Sequence, residues 1–189
     1  MEVNQTHTTN TVTSTVPNMK NIHCLAMTAI AAVSFAFVHA QPNDAQIAAI
    51  VVAANQVDID AGHLAADTTS DAAVKNFANM MVTDHTSVNQ SAVALVTKLK
   101  VTPEANDTSK SLEDGGAKNL AHLRTLSGKD FDRAYVDHEV AYHEQVIAAL
   151  DSTLIPNAQN AELKALLVKV RPAFVQHLGH AKRLQAALK

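Results

Sequence analysis

Along most of the chain, apolar residues recur in steps of three and four, the spacing of one face of an α-helix. Four long helical patterns result. The first spans about 44–66, with Ile47, Val51, Ala54, Asp58, Ala61 and Ala65 in one row. The second spans about 71–100, capped by Ser70, with the row Phe77, Met81, His85, Val88, Ala92, Leu95, Leu99. The third opens at "LSGKDF", where Ser127 and Asp130 make the carboxylate form of a capping box with Leu126 and Phe131 as its staple. It carries Val136, Val140, His143, Ile147, Leu150 and Leu154, and "IPN" ends it. The fourth, about 159–188, carries Leu163, Leu167, Val170, Phe174, His177, Ala181, Leu184 and Leu188, with Pro172 predicting a bend before His177.

The joins between the first two patterns and between the last two are short. The segment between the second and third is long and contains one weaker helix, about 111–126, interrupted by Gly115-Gly116. Short, long, short is the connectivity of a ferritin-like four-helix bundle running up-down-down-up, with a long crossover containing a short helix. Alanine is abundant, aromatics are 4% and tryptophan is absent, which suits helices packed closely by small side chains and an all-α fold.

In each of the four rows one polar side chain stands where an aliphatic would pack better: Asp58, His85, His143 and His177. At 1.5 Å per residue, up-down-down-up topology sets them at about 15, 24, 22 and 17 Å from one end of the bundle. In simple up-down-up-down topology His177 would drop out of the group. Imidazoles with one carboxylate are a ligand set for a divalent transition metal such as zinc, copper or iron, with no thiolate needed. A metal-free hydrogen-bonded network that fixes helix register is the competing reading. Asp84 points about 100° from His85 and, like Asp132 and Tyr135 near the start of the third helix, is a supporting candidate. His180 flanks the His177 row. His138, Asp60 and His63 fall on solvated faces, and Met81 is core filler.

Several functions are disfavoured. The net charge is −3 and no lysine or arginine cluster exists, so nucleic acid is not an expected partner. No Glu-x-x-His occurs, which argues against the usual di-iron carboxylate site, and no nucleophile-elbow, P-loop or H-E-x-x-H motif supports a hydrolase. A non-catalytic role is the leading reading, a redox enzyme using the same residues is a further alternative, and a homo-oligomer or an envelope partner are both open.

The N-terminal residues read differently. Residues 1–18 are polar and threonine-rich, either a disordered extension or an upstream mis-assigned start. Residues 19–40, "MKNIHCLAMTAIAAVSFAFVHA", have the charged start, short apolar run and small-residue exit of a secretory signal peptide, cut after Ala40. The single cysteine, Cys24, would leave with it, so residues 41–189 would form a thiol-free periplasmic or secreted bundle.

The stretches "FANMMVTDHTSVN", "LSGKDFDRAYVDHEVAYHEQVI" and "LKALLVKVRPAFVQHLGHAKRL" resemble the bacterial family DUF4142. The likeness runs over about 44–187. It implies an exported protein with a ferritin-like fold, and it makes Asp84-His85, Phe131-Asp132, Tyr135, His143 and His177 the characteristic positions. The family commonly carries glutamate where this chain has Asp58. The resemblance implies no particular activity.

Overall fold

The computed structural model describes residues 41–189. Helices α1 (Asp44–Thr68) and α2 (Ala72–Leu99) form a hairpin, followed by α3 (Asp107–Leu123) and α4 (Gly128–Ala149). A π-helical turn (Leu150–Leu154) and a short α5 (Ile155–Asn157) lead into α6 (Ala161–Ala187). There is no strand among the described residues.

Apolar burial falls into two clusters, and these give the helix directions. One joins Ile47 and Val51 of α1, Ala92 of α2, Leu150 and Leu154 after α4, and Leu163 and Leu167 of α6. The other joins Ala61 and Ala65, Val74 and Phe77, Leu123 of α3, Phe131 and Tyr135, and Ala181 and Leu184. The start of α1, the end of α2, the end of α4 and the start of α6 thus share one end of the bundle. Up-down-down-up is therefore the order of α1, α2, α4 and α6, as the loop lengths predict. The crossover helix α3 returns along α1, starting where Glu104 N–H donates to the Ala45 carbonyl at 3.0 Å.

Small residues let these helices approach closely. A Cβ on Gly62 of α1 would meet Val82 Cγ2 at 2.9 Å and the Ala78 carbonyl oxygen at 3.0 Å, both on α2. Gly116 of α3 presses against Val57, whose Cγ2 would stand 2.7 Å from an added Cβ. The Gly115-Gly116 pair that weakens α3 by propensity thus seats it on α1 through its second member.

Local chemistry corrects several predicted ends. The α2 cap is Asp71, not Ser70: its carboxylate accepts from the N–H groups of Ala73 and Val74. Asn43 and Gln46 make a capping box on α1, whereas Ser127 makes no side-chain cap bond, so the box predicted there does not form. The crossover helix starts earlier, at Asp107, because Asn106 accepts from the N–H groups of Thr108 and Ser109. "IPN" does not end the third long helix at Leu154. The chain widens into the π-turn and stays helical through Asn157, while Arg171 grips Asp151 with two bonds of 2.6 and 2.7 Å. Helix α6 continues through Pro172.

Two glycine substitutions test this packing with opposite signs. Gly62→Val forces α1 and α2 apart and is expected to lower unfolding free energy in urea by about 1–3 kcal/mol. Gly115→Ala, exposed with nothing within 4 Å of the new methyl, is expected to raise it by about 0.5–1 kcal/mol.

Candidate functional site

Between the two apolar clusters lies a polar layer built from all four long helices. Asn55 and Asp58 come from α1, His85 from α2, Glu139 and His143 from α4, and His177 from α6; each is at most 3% exposed. The three imidazoles meet: ring centroids are 5.2 to 5.5 Å apart, and one donor nitrogen of each lies within 4.8 Å of the others. Phe174 of α6 stacks on His85 at 5.1 Å and 14°, closing one side with an apolar face.

Hydrogen bonding settles which nitrogen of each ring carries a proton. Asn55 donates its amide to the Val51 carbonyl at 2.7 Å, so its Oδ1 is left to accept from His85 Nδ1 at 2.8 Å. His143 Nδ1 donates to the Glu139 backbone carbonyl at 2.9 Å, a group that can only accept. His177 Nε2 donates to the Asp84 carboxylate at 2.9 Å. The remaining nitrogens, His85 Nε2, His143 Nε2 and His177 Nδ1, are buried with no partner. Each imidazole therefore has one N–H committed outward and one lone pair unused, the state in which histidine ligates a metal. Four-coordinate zinc with nitrogen bonds near 2.0–2.1 Å needs donors about 3.3 Å apart, a modest closing of this arrangement.

Asp58 is buried as its place in the α1 row predicts, but it does not join all three histidines. Its Oδ2 is 3.4 Å from His85 Nδ1, on the side of that ring committed to Asn55. It groups with Glu139 and His143, whose donor atoms lie within 4.8 Å of its own. Glu139 stands one turn before His143 and is fully buried, yet the α4 row of Val136, Val140 and His143 passes it by. A glutamate four residues before an inward histidine was the available signal; for Asn55, the signal was its place one turn before Ile59 and three residues before Asp58. Tyr142 adds a link between helices, donating its hydroxyl to the Ala54 carbonyl at 3.0 Å.

Of the supporting candidates, Asp84 reaches the layer directly through His177. Tyr135 is fully buried one turn before Glu139 with its hydroxyl unpartnered, and Asp132 is buried with Oδ1 unpartnered. His180, one turn after His177 and close enough to lower its proton affinity, flanks that ring and also packs edge-on against Phe77 at 5.1 Å. His138 is not solvated either, being half-buried and stacked on Tyr142 at 5.5 Å. Asp60 and His63 are exposed and Met81 is in the core, as predicted.

The family whose description reads "Domain of unknown function (DUF4142)" matches residues 32–184. The chain belongs to DUF4142. No curated protein matches it, and no solved structure does. Membership in DUF4142 brings no stated activity, so function has to be argued from the layer itself. The segment read as a signal peptide, 19–40, and the polar stretch 1–18 lie outside the described residues. Among the described residues no helix is long and apolar enough to cross a membrane.

Burial sets the charge state of the layer. It holds His85 well below the usual histidine range, aided by His143 and His177, and brings His143 down to about 4. His177 is lowered by burial against the opposing pull of Asp84. On the carboxyls burial acts the other way: Asp58 is raised, further by the facing Glu139, and Glu139 is raised as well. Burial thus favours the neutral form of the imidazoles and the protonated form of the carboxyls.

These shifts have opposite consequences for stability. Unfolded histidines take up protons below about pH 6.5, so their contribution is lost as pH falls from about 6.5 toward 4. The folded carboxyls keep protons that the unfolded chain releases, so their contribution is lost as pH rises toward about 8. Above about pH 6.5 only the carboxyl effect remains. In chelator, the urea midpoint is expected to fall between about pH 6.5 and 8, and the near-isosteric Glu139→Gln to flatten that fall. A wild-type midpoint that is constant over this interval contradicts the assignment.

Proposed function

We propose that this DUF4142 chain is an exported helical-bundle protein that binds a divalent transition-metal ion at His85, His143 and His177. The observation that carries the reading is the set of three unpartnered lone pairs, each on a ring whose other nitrogen is held by a different acceptor. A metal-free register-fixing network would be expected to pair these nitrogens, because an unsatisfied buried polar group costs about 1–3 kcal/mol. The donor set suits zinc, copper or iron and not magnesium or calcium, which prefer oxygen.

The three rings come from three helices, so binding would draw α2, α4 and α6 together and stabilise the bundle by mass action. Asp84, partly open to solvent, would hold His177 in its ligand tautomer and strengthen its lone pair. Metal handling or protection of the cell envelope from metal stress, without turnover, is the role this supports. The ferritin-like direction pattern of the bundle and the signal-peptide pattern of 19–40 support the fold likeness and the exported, periplasmic location.

The test is elemental analysis of protein purified without a histidine tag, together with thermal unfolding. Zinc, copper or iron is expected in stoichiometric amount, with a clear rise in Tm on adding that metal to chelator-treated protein. His143→Ala and His177→Ala are expected to remove the metal-induced rise while keeping helicity. Asp84→Ala is expected to weaken binding by about 10–100-fold. No metal uptake and no Tm shift with zinc, copper, iron or manganese would overturn the proposal. Collapse of His143→Ala with no metal effect in the wild type would favour the structural network.

A further inference from the structure

The tri-imidazole group borders a second cluster of a different chemical kind. Asp58, Glu139 and His143 each offer a donor atom within 4.8 Å of the others, and all three are buried. Asp58 and Glu139 face each other from α1 and α4 closely enough to share a hydrogen bond between their carboxyls. Beyond that bond their oxygens have only long contacts: Asp58 Oδ2 lies 3.4 Å from a His85 N–H already given to Asn55, and Glu139 Oε2 lies 3.5 Å from a His143 N–H already given to the Glu139 carbonyl. No lysine or arginine is buried among the described residues, so no side-chain cation compensates this pair.

The Tyr135 hydroxyl is buried and unpartnered, one helical turn before Glu139 on α4. Fully buried phenol hydroxyls normally find a partner. Here two facing carboxyls from α1 and α4, and a phenol one turn away along α4, leave buried oxygens unused. A shared proton can ease the repulsion between two carboxyls, but it leaves the other oxygens unserved. A cation serves all of them.

We propose that Asp58 and Glu139 form a second cation site that takes a divalent ion of oxygen preference, of which manganese(II) is the type. His143 separates it from the nitrogen site. Its Nδ1 proton is already committed to the Glu139 carbonyl, so the second ion's protein ligands are oxygens. Calcium needs six to eight oxygens and magnesium dehydrates reluctantly, so neither suits so enclosed a site. Manganese(II) accepts carboxylates readily and is distinguished there from an ion that prefers imidazole. The inference goes beyond the nitrogen site and stands or falls separately from it.

The experiment loads purified protein with zinc, then titrates manganese(II), following the free-ion signal by electron paramagnetic resonance. Wild type is expected to take up one manganese in addition to zinc. Glu139→Gln and Asp58→Asn, both near-isosteric, are expected to bind manganese at least about tenfold more weakly while keeping zinc. His177→Ala is expected to lose zinc and keep manganese. Manganese bound without zinc, and lost in Glu139→Gln, would overturn the nitrogen site and leave this one standing. No manganese uptake by wild type, or uptake unchanged in both carboxyl variants, overturns the second site. Should those variants fail to fold, an anomalous map at the manganese edge decides on wild-type crystals. A peak against Asp58 and Glu139 supports the proposal, and its absence overturns it.

Discussion

Everything in this bundle is arranged around a polar layer that the apolar clusters above and below cannot satisfy. Each of its three imidazoles has one close acceptor, from Asn55, the Glu139 carbonyl or Asp84. With one close acceptor per ring, one nitrogen is protonated and bonded and the other is a bare lone pair in a buried layer. The clusters on either side keep water out and hold the four long helices in register. Close contacts at Gly62 and Gly116 keep α1 against α2 and α3. The layer therefore persists because the packing on both sides of it is tight, and not because it is itself a source of stability.

The bundle was legible in the sequence to the extent that one face of each helix carries the fold. Three- and four-residue steps located the long helices, and the length of the second connection located the crossover. Polar residues standing in apolar rows picked out Asp58, His85, His143 and His177, because a substitution of that kind is visible against periodicity. Glu139 escaped because α4 buries a broad face: Asp132, Tyr135, Val136, Glu139, Val140, Tyr142 and His143 are all inside. A single row of Val136, Val140 and His143 describes only part of that face. Asn55 escaped for the same reason on α1, whose buried positions run almost all the way round.

Local ends were less legible than the rows. Asp71 and Ser70 are both competent caps, and the choice between them depends on where α1 releases the chain. The π-turn after α4 has no periodic signature, since one extra residue per turn looks like a normal helix with a small slip. Asp58 was predicted as a fourth ligand because periodicity gives a face and a height but not a side of a ring. On the committed side of His85 it meets Glu139, and this turns one expected polyhedron into two adjoining clusters with different donor atoms.

A metal-binding interpretation depends on the protonation pattern of three rings. Long-range proton–nitrogen correlation spectra of the metal-free protein at neutral pH read that pattern directly from the histidine nitrogen shifts. Neutral rings are expected, protonated on Nδ1 in His85 and His143 and on Nε2 in His177. Charged imidazolium rings, or the opposite tautomer at two of the three, would contradict it.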